Sequence, residues 1–289
     1  MTEQKERKAL IVDLNKVWNR YLFVRKGDFS ATVSSVLHLF KSIYQSKEFA
    51  TVYIVLDGKP CEKYEEYKDY KHNRKHNPDK YIPMKVLSSV LCQYFNVVGG
   101  KRVEGDNVVA YIAKKLSKKY DTYIFSNDKD FLQLMQFGIK IVSLFKQCKI
   151  DTVVTPEEAL MKFKNSKGKP LKHLKHILPY RVFKGDSSDG IPSAVSRLSD
   201  VDIRKIVEKH WNYKYEFNED TLYLIIGSVE DSVLKEKLIL NMHNIIRNYN
   251  LMNLSFIPDD FQSSIQKVYY KLDINGLSEY VNKEELYKW

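Results

Sequence analysis

Cysteine is scarce and unpatterned in this chain: Cys61, Cys92 and Cys148 are odd in number, scattered over 289 residues and never in CxxC spacing. That excludes a disulfide framework or a cysteine-held zinc site, and it indicates a reducing compartment. Long apolar runs are missing as well. No stretch reaches the length needed to span a bilayer. The opening residues, MTEQKERK, are polar and charged, and the ALIV after them is too short for a signal peptide. No internal repeat is present, and the only biased segment is one basic stretch. The expectation is a soluble, cytoplasmic protein with no membrane partner.

Charge and tyrosine are plentiful instead. Lys and Arg outnumber Asp and Glu by 47 to 36, a net charge of +11, and there are 20 tyrosines. A charge of this size speaks of partners rather than of fold, and it favours a polyanion such as nucleic acid. Anionic lipid would call for an amphipathic basic helix, which is not seen. A basic protein with no particular polyanion is the plainer alternative. Hydrophobic content of 44% supplies a core for one large domain, or for a main domain with a smaller appendage.

The first half alternates strand-like and helix-like segments. ALIVDLN (9–15), TVYIVLD (51–57), NVVGG (96–100), TYIFSND (122–128) and IKIVSLF (139–145) read as strands. Between them, TVSSVLHLFKSIYQ (32–45) has helical apolar spacing at Val33, Val36, Leu37, Phe40 and Tyr44. MKVLSSVLCQYF (84–95) is a second helix, and DNVVAYIAKKLSKKY (106–120) carries Val109, Ile112, Ala113 and Leu116 on one face. The pattern predicts a mainly parallel sheet wrapped by helices on both sides. Near residue 150 the pattern changes: TPEEAL (155–160) is a helix start capped by Thr155 and Glu158, and the remainder reads mostly helical.

Ligands of such sheets sit outside the carboxyl ends of the strands. Acidic residues collect there: Asp13, Asp57, Glu104, Asp106, Asp128, Asp130, Asp186 and Asp189. Taken singly, Asp13 or Asp57 is a turn residue at a strand end, Asp106 is a helix-start residue, and GDSSDG is a turn. The DKD of residues 128–130 is no calcium loop, because the required Gly is missing and position twelve is Ile139. Taken together, the carboxylates would repel one another unless hard divalent cations neutralised them. Two such ions about 4 Å apart suit phosphodiester hydrolysis.

The segment KPCEKYEEYKDYKHNRKHNPDKY (59–81) follows Asp57 at once. If helical, it places Tyr64, Lys68, Lys71 and Lys75 on one face, with Tyr67, Tyr70 and Arg74 beside it. Cations neutralise phosphates and aromatic rings stack on exposed bases. A solvated helix is the competing reading.

In order, IVDLN, IVLDGK, YKDYKHNRK, VEGDNVVAYIAKK, IFSNDKDFLQL and VFKGDSSDGIP resemble the 5′→3′ exonuclease and flap endonuclease family. The late stretch LMNLSFIPDDF is similar to its ribonuclease H branch in T-even bacteriophages. The resemblance spans roughly residues 9 to 270 and implies a PIN-like 5′ nuclease core over 9–180, after a flexible 1–8. A helical arch near 59–82 and a mainly helical, duplex-binding part over 181–289 complete the implied architecture. It implies that Asp13, Asp57, Glu104, Asp106, Asp128 and Asp130 form a main metal site, and Asp186 and Asp189 a second. The implied ion is Mg²⁺ at two sites, with Mn²⁺ as an alternative. Lys71 and Arg74 correspond to a cationic pair over the scissile phosphate, and Tyr70 to an aromatic beside it. Implied substrates are DNA and RNA–DNA duplexes with 5′ ends, flaps or nicks, cut by a monomer during phage-type replication beside a single-stranded-DNA-binding protein. Two departures stand out: Asn107 follows Asp106 where a second acid is usual, and GIPSAVSRLSD lacks the repeated glycines of a duplex-gripping turn. A catalytically silent nucleic-acid binder and a small-molecule phosphohydrolase remain as alternatives.

Overall fold

The computed structural model describes residues 7–72, 78–146, 149–211, 216–255, 257–271, 276 and 278–280. Seven strands form one sheet: β1 (Lys8–Asp13), β2 (Thr51–Leu56), β3 (Asn96–Gly100), β4 (Asp121–Phe125), β5 (Lys140–Lys146), β6 (Lys149–Val153) and β7 (Ile265–Lys267). Their order is β6-β5-β4-β1-β2-β3-β7. The five inner strands are parallel, and β6 and β7 close the two edges antiparallel. These inner strands are the five anticipated from the β-branched runs. The two edge strands were not, because short strands that bury little on either face leave weak periodicity.

Along β1, successive side chains enter opposite cores, as a period of two requires. Leu10 and Val12 pack in one cluster with Trp18 of α1 (Leu14–Val24), Phe40 of α2 (Phe29–Ser46) and Leu87, while Ile11 joins a second with Val109, Phe183 and Leu251. The chain then adds α3 (Cys61–Glu66), α4 (Tyr81–Tyr94), which carries Leu87, and α5 (Gly105–Leu116), which carries Val109. Helices thus cover both faces, giving the doubly wound α/β architecture. Tyr44, assigned to the apolar face of its helix, is instead 49% exposed.

Strand order reverses beside β1: the chain builds outward to β2 and β3, then returns to place β4 on the other side. The crevice at that switch point is where open α/β sheets bind ligands. Asp13 ends β1 there, and Asp128 follows β4. The strand read through Asn15 stops at Asp13, whose side chain accepts the Lys16 N–H (3.1 Å) and starts α1 without a loop.

Beyond the sheet lie α6 (Pro156–Met161), α7 (Ile177–Lys184), α8 (Asp200–Lys205), α9 (Glu219–Gly227), α10 (Ser232–Leu240), α11 (Met242–Met252) and α12 (Asp259–Gln262). The α6 cap is the reciprocal one anticipated: Thr155 Oγ1 accepts the Glu158 N–H, and Glu158 Oε2 accepts that of Thr155. Among the described residues, the helical part shares its core with the sheet-bearing half. Val98, Val108, Leu222, Ile245 and Phe261 belong to one cluster, and β7 returns to the sheet. Among the described residues, no helix is long and apolar enough to cross a membrane.

His176 is buried against Trp211 (ring centroids 5.6 Å apart), and burial, with His173 and Lys172 nearby, lowers its pKa to about 4. The unfolded imidazole takes its proton near pH 6.5. Between these values the unfolded state binds more protons, so this contribution to stability is complete above pH 6.5 and is lost as pH falls through about 4. Discounted for partial solvent screening, it amounts to on the order of 2 kcal/mol. His176→Phe should therefore flatten the loss of stability between pH 6.5 and 4, measured by urea unfolding. An unchanged slope in that window would refute the assignment.

Candidate active site

Five of the eight acids found in the sequence, Asp106, Asp128, Asp130, Asp186 and Asp189, line one cleft of about 390 Å³ together with Lys16, Lys129, Asn127 and Ser188. Asp13 is buried at the crevice of β1, Glu104 is buried in the loop after β3, and Asp57 is exposed at the end of β2. The Asp57 side chain is held from two sides: its Oδ1 accepts the Gly105 N–H (2.9 Å), and its Oδ2 accepts from Asn15 Nδ2 (3.2 Å). The start of α5 is thus tied to the end of β2.

Burial dominates the electrostatics of this rim. It raises the Asp13 carboxyl to about 8 and that of Asp106 to about 6, with further upward pushes on Asp13 from Asp106 and on Asp106 from Asp128. Burial also raises Asp130. It is opposed at Asp128 by Lys16, whose Nζ lies 2.6 Å from Oδ2 and holds the group below its usual range. Asp128 Oδ1 also accepts the Asp130 N–H at 3.0 Å. Each of the two carboxylates thus has its own cation.

Arg181 of α7 is that cation for Asp130. Its Nη2 lies 2.8 Å from Asp130 Oδ1 and 3.1 Å from Asp186 Oδ2, and the guanidinium is buried. Asp186 also pairs with Lys129 (3.3 Å) and accepts from Ser188 N and Oγ; despite burial, these contacts bring its pKa down to about 2. One arginine thus joins the acid after β4 to the acid after α7.

Glu104 is the most enclosed acid. Lys63 Nζ (2.5 Å), Tyr70 OH (2.9 Å) and Lys71 Nζ all donate to its carboxylate, and its own N–H donates to Glu62 Oε1 (3.0 Å). Lys71 Nζ is also 3.8 Å from Asp189 Oδ2, and its N–H donates to the Asp189 carbonyl (2.8 Å). Burial lowers the pKa of Lys63, against the pull of the surrounding acids.

These contacts correct the reading of the basic stretch. The helix there ends at Glu66, and Lys71 has a left-handed φ of 54°, so no single face carries Tyr64, Lys68 and Lys71. Tyr70 is 2% exposed with its hydroxyl on Glu104; as placed here, its ring is covered and offers no platform for a base. Tyr67 is half-buried beneath Arg247 (4.8 Å), whereas Tyr64 and Lys68 are exposed. Arg74 and Lys75 lie outside the described residues. The physical reason is that a carboxylate buried at Glu104 recruits the nearest hydroxyl and ammonium groups, which turns the chain inward.

Asn107 likewise does not face the rim. It is fully buried and its Nδ2 donates to the Leu254 carbonyl (3.4 Å). Gln133 grips the same late segment: Nε2 donates to the carbonyls of Asp130 and Met252, and Oε1 accepts the Leu254 N–H. The LMNLS stretch therefore supports the floor beneath Asp130. Lys16, Lys63 and Arg181 escaped the sequence reading, because cations are common in this chain and only tertiary contact distinguishes a rim partner from a surface charge.

Among the described residues, no group of three acids has the geometry of a formed metal centre, since the ammonium and guanidinium groups stand between them. The donor chemistry nevertheless suits a hard divalent ion: the set is all oxygen, and Asp13 Oδ2 is buried without a hydrogen-bond partner.

Residues 8–164 match the family of the 5′→3′ exonuclease N-terminal, resolvase-like domain. The chain belongs to the 5′→3′ exonuclease family, a family of nucleases. Among curated relatives, it is 29% identical to a 5′→3′ exonuclease of Aquifex aeolicus over 178 residues, covering 59% of this chain and 57% of that one. It is 23% identical to the flap endonuclease Xni of Pseudoalteromonas translucida over 233 residues, covering 78% and 80%. The fold is similar to that of the bacteriophage T5 5′-exonuclease with divalent zinc bound, at a TM-score of 0.65, 17% identity and coverage of 98% and 99%. A bacteriophage T5 flap endonuclease in a pseudo-enzyme–product complex with DNA and metal ions gives a TM-score of 0.67 at 16% identity, with 98% of each chain covered. The fold expected from the sequence, a PIN-like 5′ nuclease core, is the fold observed.

Proposed function

We propose that this chain is a divalent-metal-dependent 5′ nuclease that hydrolyses phosphodiesters near the 5′ ends of DNA and RNA–DNA duplexes, flaps and nicks. The observation that carries this reading is the convergence of Asp106, Asp128, Asp130, Asp186 and Asp189 on one cleft, beside Asp13, in a protein of net charge +11. Relatives named as 5′→3′ exonuclease and flap endonuclease, and a related fold solved with DNA and metal ions, support it. Removal of RNA primers in phage-type replication, next to a single-stranded-DNA-binding protein, is the setting we infer.

Asp13, Asp57, Glu104, Asp106, Asp128 and Asp130 are the residues to hold Mg²⁺ at the main site, with Asp186 and Asp189 at a second; Mn²⁺ suits the same oxygens. Held there, such ions would supply an activated water and charge stabilisation for the leaving 3′ oxygen. The protein's own part is positional and electrostatic. Arg181 keeps the two halves of the acidic rim at a fixed separation. Lys71 presents an ammonium at the edge shared by Glu104 and Asp189, where it can neutralise charge developing on the phosphoryl oxygens. Arg74 is the second cation proposed for that task.

The test is cleavage of an end-labelled 5′ flap with matched RNA and DNA 5′ arms. Dialysis against a chelator should abolish product and added Mg²⁺ restore it. Asp128→Asn should lower the rate by about 10²-fold or more while duplex binding stays within threefold of wild type. Cleavage that survives the chelator, or is unchanged in the variant, would overturn the proposal.

A further inference from the structure

We propose that the lysine-rich loop preceding α7 is a second nucleic-acid contact surface, holding the phosphates of the duplex arm that leaves the rim. The proposal rests on the nuclease reading above and adds a binding surface to it. From Ala159 to Gly185 there is no acidic residue, while Lys162, Lys164, Lys167, Lys169, Lys172 and Lys175 follow in one run. The first five are exposed. Lys162, Lys164, Lys167 and Lys169 form no ion pair with a described residue, and Lys172 pairs with Glu208 (3.3 Å).

The loop under these ammonium groups is built rather than loose. Phe163 and Leu171 anchor its ends in the core at 7% and 1% exposure. Arg204, itself buried, donates to the carbonyl of Phe163 and to that of Pro170 (3.2 Å), closing the base of the loop. At the tip, Asn165 Oδ1 accepts the N–H groups of Lys167 (3.0 Å) and Lys169 (2.9 Å). The Asn165 carbonyl accepts the Gly168 N–H, and Asn165 N–H donates to the Lys169 carbonyl, both at 2.9 Å. Gly168 takes the left-handed φ of 76° that this tight turn needs. Backbone order is thus already supplied by the fold, so a ligand need immobilise only lysine side chains.

Position favours a duplex. The short turn at Leu174–His176 and then α7 lead from this loop to the Gly185–Asp186 corner of the rim. Eight helical residues rise roughly 12 Å, the length of about four base pairs. A row of cations beyond the far end of that helix suits the phosphates of an uncleaved arm, and unpaired ammonium groups release condensed counterions when they meet such phosphates.

The experiment compares wild type with Lys164→Gln/Lys167→Gln/Lys169→Gln on flap substrates whose duplex arms are about 12 or about 4 base pairs long. On the long arm, KM should rise about tenfold with kcat within twofold, and the slope of log affinity against log salt should fall by roughly 2 to 3. On the short arm the two proteins should match. An equal loss of charge at the exposed end of α5 and just beyond it, Lys115→Gln/Lys118→Gln/Lys119→Gln, should leave KM within twofold. If the loop variant keeps the wild-type KM and salt slope on the long arm, or if the control triple does the same damage, the loop's role is overturned. A wild-type protein that neither binds nor cuts a flap overturns the nuclease reading itself.

Discussion

Asp13→Asn is expected to raise the melting temperature of the metal-free protein at pH 8 by roughly 5 °C and to lower Mg²⁺-dependent flap cleavage by about 10³-fold. Asp13 is 7% exposed, and only one of its oxygens has a partner, the Lys16 N–H on Oδ1. Burial first, and the charge of Asp106 second, push its carboxyl up to about 8. An unfolded aspartate releases its proton near pH 3.9. Between these values the folded state holds more protons than the unfolded one, so stability falls as pH rises. The contribution is complete below about pH 4 and is lost as pH climbs through about 8. Asparagine carries no such penalty and still caps a helix well, so the gain should be large at pH 8 and small at pH 4. A stabilisation on the order of 2 kcal/mol corresponds to the stated shift in a chain of this size.

The same carboxylate is a proposed metal ligand, so the variant gains stability by losing the group the function needs. Calorimetry with chelator and with Mg²⁺ separates the two effects: wild type should gain melting temperature on adding Mg²⁺, and the variant should gain less. A variant no more stable than wild type at pH 8, or one that still cuts, would sink this account of the rim.

Gly58→Ala is expected to cost about 4 kcal/mol. An alanine Cβ there would lie 1.9 Å from the Gly100 carbonyl oxygen and 2.4 Å from that of Val103. Both obstacles are backbone, so no side-chain rotation can relieve the overlap. The loop after β2 would have to separate from the loop after β3, carrying with it Asp57 and its bond to the Gly105 N–H. Activity should therefore fall along with stability. Gly227→Ala is the matched control, because nothing lies within 4 Å of its Cβ position, and it should change stability by less than about 0.5 kcal/mol. Urea midpoints of the two variants decide the matter: a Gly58→Ala loss under about 1 kcal/mol would mean that the two loops can part freely.

Much of this arrangement was legible in the amino-acid order. The runs ALIVD, TVYIVL, NVVGG, TYIF and KIVSLF are β-branched and apolar enough to be buried on both faces, which only an inner parallel strand requires. Carboxylates at their ends then fall on one rim by topology alone. The family pattern placed the acids of the second half, Asp186 and Asp189, on the same cleft, and the structure brings them there.

The basic stretch was the least legible part. Helical spacing treats Tyr64, Tyr70 and Lys71 as equivalent surface residues, yet Tyr70 and Lys71 fold inward onto Glu104 while Tyr64 stays exposed. Spacing records which side chains could share a face. It does not record that a buried carboxylate nearby makes an inward hydroxyl and ammonium more favourable than solvated ones. The partners Lys16, Lys63 and Arg181 were hidden for the same reason.

The sequence by itself determined the five inner strands and the acids at or near their ends, because apolar periodicity and strand-end position are local properties of the chain. The strand order, its switch point and the two edge strands were decided by the tertiary fold. Tertiary structure alone decided which cation answers each acid. It also decided that Asn107 and Gln133 hold the late LMNLS segment under the rim and that a closed lysine loop stands one short helix away. Those pairings join residues up to 147 positions apart, and their energy depends on burial and distance, neither of which a linear order contains.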